Sequence, residues 1–403
     1  MTNKLTRRIY LMAVVFMCIV IIIEGLVLYS EKSGENININ NYAQKVITIC
    51  SKAGYRPACY DKEIPKLMDS ISMEDAFKVT KIIQNIDKGY TYCHVLGHEL
   101  SAREVDKDPS KWKDVIARVP SGICSNGGIH GAFQERFRAD SFTPEQIEQI
   151  KPDFMGICEK RVGWNPTGLE QGSCYHALGH LTMYVTSAEI KRALSLCDDL
   201  TTKAGLGSWV HLCYDGAFMQ IFQPLEPEDF ALIKGKEVNR QQHKSFCSQF
   251  SGQERGSCIS EGWPLYLSDI KKGPEGLVNF CNMEQDSEID RCYESMMYVI
   301  TAQFGLNPDK VINYCPGLPT KRIGMCFASA ASRMMEVDYG NINQAVELCQ
   351  SASIYDKNDT CFSQLANYSS YNLGKGSPEF NTLCQELPEK WKNVCLGKNE
   401  TTP

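Results

Sequence analysis

Apolar and small residues recur along this chain in runs of about a dozen, set apart by a repeated punctuation of capping residue and proline. The stretch Cys292-Tyr-Glu-Ser-Met-Met-Tyr-Val-Ile-Thr-Ala-Gln-Phe304 has no internal Gly or Pro and predicts a buried helix, here called A. Gly305 ends it. Asn307-Pro308 then supplies an N-cap and a first-turn proline for a short helix B, which runs through Val311 and Ile312 to Cys315. Pro316-Gly-Leu-Pro319 leads back to the next helix A at Cys326. The same punctuation stands at Asp108-Pro109, Thr143-Pro144 and Ser377-Pro378, with looser versions at Pro227 and Pro274. Helix A is therefore expected near Cys93, Cys124, Cys174, Cys213, Cys258, Cys292, Cys326 and Cys361, giving about eight two-helix units and a terminal cap.

Cysteine spacing sharpens this pattern. One series falls at Cys247, Cys281, Cys315, Cys349 and Cys384, and a second at Cys258, Cys292, Cys326, Cys361 and Cys395, each stepping by 34 or 35 residues. Two combs in phase mean an internal repeat, and a period in this range means stacked helical units. A cysteine closing helix B can pair with one on the next helix A. That gives Cys158–Cys174, Cys197–Cys213, Cys247–Cys258, Cys281–Cys292, Cys315–Cys326, Cys349–Cys361 and Cys384–Cys395, with Cys50–Cys59 closing an N-terminal turn. Cys93 and Cys124 lack a preceding helix-B cysteine, so they either pair with each other or stand as free thiols and soft metal ligands beside histidines.

The predicted fold is all-α, a disulfide-stapled α-solenoid. Period, helix pairs and cysteine phase resemble the Sel1-like and tetratricopeptide class of α-solenoid, especially its cysteine-rich secreted forms with one disulfide per repeat. The resemblance covers roughly residues 80–400. It implies binding of protein or peptide partners rather than catalysis.

The N-terminus has a different pattern. Thr6-Arg7-Arg8 precedes a nearly unbroken apolar run from Ile9 to Ile23, and after Glu24 the run continues from Gly25 to Tyr29. About 20 apolar residues span a bilayer. The arginines ahead of the run place the N-terminus inside and the bulk of the chain outside. The segment is read as an uncleaved single-pass anchor, with a cleaved signal peptide as the alternative. Of 19 cysteines, only Cys18 lies within it; the other 18 are an even number, as a disulfide framework in an oxidising compartment requires. The sequons at Asn358, Asn367 and Asn399 permit glycosylation. Net charge is −6 without a basic stripe, which argues against nucleic-acid binding. Four segments follow: an anchor or signal segment over 1–30, a linker and N-terminal capping helices over 31–86, a histidine-containing duplicated block over 87–230, and regular cysteine-paired repeats over 231–403, read as scaffold or recognition arm.

The candidate chemistry lies in the histidines. Five of seven sit in three motifs: Cys93-His94-Val-Leu-Gly97-His98-Glu99, Gly127-Gly128-Ile129-His130-Gly131 and Cys174-Tyr175-His176-Ala-Leu-Gly179-His180. The first and third share His-x-Leu-Gly-His. Gly131-Ala-Phe-Gln-Glu-Arg-Phe137 likewise matches Gly216-Ala-Phe-Met-Gln-Ile-Phe222, which aligns His130 with Asp215. A two-unit block is therefore duplicated. Two histidines four apart share one helix face, and a third ligand from a neighbouring helix completes a site with an open position. The expected metal ligands are His94, His98 and His130 in the first copy and His176, His180 and Asp215 in the second, as two sites or as one bimetallic site. Glu99 and Glu135 are candidate catalytic bases or outer-shell partners. Zinc, copper and iron all suit such ligands. The chain is read as a metal-binding protein with hydrolytic or oxidative chemistry in view, the alternative being a non-catalytic scaffold whose histidines bond across repeat interfaces or sense pH.

Overall fold

The structure is a computed structural model, and it describes residues 39–137, 142–201, 209–285 and 288–398. Among these residues it is all-α; the only extended pairing is an isolated bridge between Arg161 and Trp164. The anchor expected over 1–30 lies outside the described residues, and within them no helix is long and apolar enough to cross a membrane. The described chain divides into two compact units, meeting in sequence between Tyr90 and Thr91.

The first unit holds helix α1 over 39–50, α2 (Arg56–Glu63) and α3 (Met73–Ile86). Cys50–Cys59 staples α1 to α2. The Tyr60 hydroxyl donates to Asp87 at 2.7 Å and that of Tyr90 to Asp61 at 2.6 Å, so two buried phenols tie the end of the unit to α2.

The second unit alternates two sets of helices. The A helices are α4 (His94–Lys107), α6 (Gly127–Phe137), α8 (Gly168–Val185), α10 (Val210–Phe222), α13 (Gly252–Glu261), α16 (Glu288–Gln303), α18 (Thr320–Val337), α20 (Thr360–Asn372) and α22 (Glu389–Cys395). Between them lie α5 (Trp112–Arg118), α7 (Pro144–Phe154), α9 (Ile190–Thr201), α11 (Pro227–Leu232), α12 (Arg240–Cys247), α14 (Leu267–Lys272), α15 (Pro274–Cys281), α17 (Pro308–Tyr314), α19 (Ile342–Ala352) and α21 (Pro378–Glu386). Local chemistry starts many of them. Thr143 and Gln146 form a reciprocal capping box on α7, as do Thr167 and Glu170 on α8, and Asn307 caps α17 ahead of Pro308. Gly305, at φ 69°, stops α16.

Several A helices start ahead of the cysteine read in the sequence, α8, α13, α16 and α18 among them. Cys174 lies in the second turn of α8 rather than at its start, because the capping box draws the N-terminus back to Thr167. The helix expected from Cys258 instead ends at Glu261, where Gly262 and Pro264 redirect the chain into α14.

Nine disulfides join the described residues: the Cys50 pair above, then Cys93–Cys124, Cys158–Cys174, Cys197–Cys213, Cys247–Cys258, Cys281–Cys292, Cys315–Cys326, Cys349–Cys361 and Cys384–Cys395. From Cys158 onward each closes one repeat onto the helix that opens the next. Loops this short contribute about 2–3 kcal/mol each in the chain-entropy model, enough to hold helices that are marginal alone.

Consecutive A helices pack side by side from α4 to α22. The path also returns on itself. Tyr371 of α20 lies against Gly168 of α8 and stacks on Trp209, which stacks in turn on Tyr175. Tyr339, after α18, lies against Gly122. The later repeats therefore wall the histidine block rather than lead away from it. Helix α18 is buried on nearly every side and is built accordingly, with Ala328, Ser329, Ala330, Ala331 and Ser332 in succession.

Candidate metal centre

Glycines bring the histidine-bearing backbones together. A Cβ on Gly97 would lie 2.9 Å from the Gly128 nitrogen, and one on Gly131 would overlap the His98 carbonyl. Helices α4 and α6 therefore touch backbone to backbone. The second copy repeats the device, with Gly179 against the Cys213 carbonyl and Gly216 against that of His176, so α8 and α10 cross as closely.

At the first crossing the rings of His94 and His98 lie 4.8 Å apart, those of His94 and His130 4.9 Å, and those of His98 and His130 5.3 Å, centroid to centroid. One nitrogen from each falls within 4.8 Å of the others, so the three could hold a metal ion. At the second crossing the His176 and His180 rings are 5.1 Å apart. His130 touches that pair too, at 5.3 and 5.4 Å. All five motif histidines thus form one continuous cluster with His130 at its centre.

The entry to α6 is locked by an unusual turn. Cys124, Ser125 and Asn126 all have left-handed backbones, with φ of 51°, 47° and 57°. For residues other than glycine that costs roughly 1–2 kcal/mol each. Cys124 is held by its disulfide to Cys93, the residue before His94. The bridge means neither sulfur is a thiolate ligand. Its carbonyl instead accepts from His94 Nδ1 at 3.3 Å, which leaves His94 Nε2 with a free lone pair. His180 is oriented in the same way, its Nδ1 donating to Gln220 Oε1 at 2.7 Å.

Electrostatics favour neutral imidazoles, the ligating form. Burial, reinforced by the facing histidines, holds His94 and His130 well below the usual histidine range. Burial and His180 push His176 down to about 3, against the opposing pull of Asp215. Burial also lowers His180, opposed by its bond to Gln220. Both ring nitrogens of His98 and Nδ1 of His130 are buried without a hydrogen-bond partner. Each such group costs about 1–3 kcal/mol unless something satisfies it.

His98 opens onto a cleft of about 240 Å³, lined also by Glu99, Glu135, Glu226, Asp106 and Arg103. Glu99 and Glu135 thus share one cleft beside the histidines. Glu226 joins them from a distant segment, its Oε1 3.8 Å from His98 Nδ1. It is placed by the N-terminus of α11, where Asp229 accepts the Leu225 and Glu226 amides at 3.0 and 3.1 Å. Tyr184 of α8 donates to the same Asp229. The sequence pattern offered little to single out Glu226 beyond its place ahead of Pro227.

Asp215, near enough to His176 to act on its charge, is hydrogen-bonded elsewhere. Both its oxygens accept from Arg291 of α16, at 3.2 and 3.3 Å, while the same guanidinium bonds Glu288 at 2.8 Å and Ser257 at 3.2 Å. His243 bonds the Cys258 carbonyl and the Tyr266 hydroxyl, each at 3.2 Å, and serves packing.

Fold and cluster together define a disulfide-stapled, all-α helical-repeat protein with a buried histidine centre. Compared with known proteins, the chain matches no family model, no curated protein and no solved structure. The Sel1-like or tetratricopeptide resemblance thus has no family match behind it; the helical repeat with about one disulfide per unit stands on the structure alone.

Proposed function

We propose that this chain is an exported metal-binding α-solenoid protein whose His94, His98 and His130 hold one divalent transition-metal ion beside a carboxylate-lined cleft. The observation that carries the reading is His98: a buried imidazole whose two nitrogens make no hydrogen bond, facing two histidines held well below the usual range. A metal ion satisfies such a group; apolar packing does not. Three protein ligands leave a coordination position open, the arrangement of catalytic zinc sites, and such an ion lowers the pKa of water to near neutrality. Glu99, Glu135 and Glu226 line the side from which a substrate would enter and are the candidate bases. Zinc fits the triad best, and copper or iron share its ligand chemistry. The disulfides and the apolar run over 1–30 support a single-pass protein with its bulk outside the cell membrane.

The test is elemental mass spectrometry of the oxidised protein beside a His94→Ala/His98→Ala variant. Near-stoichiometric metal that disappears in the folded variant is expected. A wild-type protein that stays metal-free after reloading would overturn the reading. The chain would then be the non-catalytic scaffold for protein or peptide partners.

A further inference from the structure

The duplicated block does not repeat its third ligand. In the first copy that ligand is His130; at the aligned position in the second, Asp215 is committed to Arg291. One turn further along α10 stands Met219, aligned with Gln134 of the first copy. Its sulfur lies 3.4 Å from His176 Nε2, which lies 3.3 Å from His180 Nε2.

We propose that His176, His180 and Met219 form a second metal site, distinct from the triad and selective for a soft monovalent ion, Cu(I). Two nitrogens bound at the usual 2.0–2.1 Å around one tetrahedral ion stand about 3.3 Å apart, the spacing that this histidine pair already shows. The lone pair of His180 is also arranged for it. Because His180 Nδ1 donates to Gln220, its Nε2 is an acceptor that faces His176 Nε2, the nitrogen against which the thioether lies. A thioether adds little for zinc but selects copper in its lower oxidation state. The two copies thus carry different donor sets, three nitrogens in one and two nitrogens and a sulfur in the other. A plain hydrogen bond from His176 to His180 also fits 3.3 Å, and it would not need the sulfur.

The experiment uses full-length oxidised protein titrated anaerobically with Cu(I) as its acetonitrile complex, in competition with bathocuproine disulfonate. Wild type, Met219→Leu and His94→Ala/His98→Ala are compared, with X-ray absorption on the copper-loaded samples and thermal melting as the folding control. Wild type and the triad variant should each retain a copper equivalent with a sulfur neighbour. Met219→Leu, which keeps the histidine pair and its hydrogen bond, should lose the sulfur signal and at least about tenfold in affinity, since even outer-shell losses cost 10–100-fold. Copper held equally well by Met219→Leu, copper lost only in the triad variant, or no copper in wild type would each overturn the proposal. Copper binding with an inactive or metal-free triad would leave it standing, so its failure and that of the triad reading are separable.

Discussion

The two copies of the histidine block share a backbone and differ in what they do with it. In both, a His-x-Leu-Gly-His helix crosses a Gly-Ala-Phe helix at glycine contact. In the first copy the partner helix contributes His130, whose Nδ1 has no hydrogen-bond partner among the described residues and whose ring joins the cluster. In the second it contributes Asp215, whose oxygens are taken by Arg291, 76 residues away. A duplicated scaffold can thus hold the crossing fixed while the residue at one position switches from ligand to strut.

The largest expected effect breaks that contrast directly. Asp215→Ala takes one of two carboxylate partners from the Arg291 guanidinium, a mostly buried charge that keeps Glu288 and Ser257. Removing one partner of such a pair costs about 3–5 kcal/mol, read as a drop in denaturant midpoint. His130→Ala should cost far less stability yet abolish triad metal. Equal stability losses would mean the two positions play one role. Next come Gly131→Ala and Gly216→Ala. Alanine ordinarily favours a helix interior by about 0.5–1 kcal/mol. Here its Cβ meets the carbonyl of His98 or His176, so each change should instead destabilise by about 1–3 kcal/mol. A stabilised variant at either site would show that the helices do not cross so closely.

What could be read from the sequence, and what could not, follows the range of the interactions. Helix starts at Pro144, Pro308 and Pro378 and the cysteine combs were legible because capping, proline geometry and short disulfide loops act within a few residues. The triad His94, His98 and His130 was legible as one motif duplicated, since i, i+4 spacing and flanking glycines are local signals. Illegible were the contacts made across repeats. Nothing near Asp215 announces Arg291, and nothing near Gly168 announces Tyr371. Met219 and Gln220 were in plain view in the aligned motif, but a methionine in an apolar helix reads as packing until its sulfur is placed against His176.

Gln220 gives a smaller, sharper test. Gln220→Ala removes the acceptor that fixes His180 Nδ1. Metal held by the second copy should weaken by about 10–100-fold while the triad metal, oriented through the Cys124 carbonyl, stays put. Parallel losses at both, followed by competitive titration, would show that the copies share a single ion.

The last effect concerns pH, and it too separates the copies. Beside Arg291 the second copy is backed by Glu284, a buried carboxyl whose Oε1 lacks a hydrogen-bond partner. Burial pushes it up to about 7 from an ordinary 4.5, with Glu288 adding to the rise and Arg255 and Arg291 opposing it. Between those values the folded chain keeps a proton that the unfolded chain has released. Stability from this group is therefore present at low pH, is lost progressively as pH rises from about 4.5 to 7, and changes no further above that. The buried histidines act in the opposite sense. Their depressed values mean the unfolded chain binds protons first, so they erode stability as pH falls below an ordinary 6.5. The two trends overlap in wild type, and Glu284→Gln separates them because only the carboxyl contribution changes. Relative to this variant, wild type should fare worse at about pH 8 than at about pH 5 in urea unfolding. An offset that is the same at both would mean that Glu284 is ionised in the folded chain, and that Arg291, which holds Asp215, acts on this carboxylate as well.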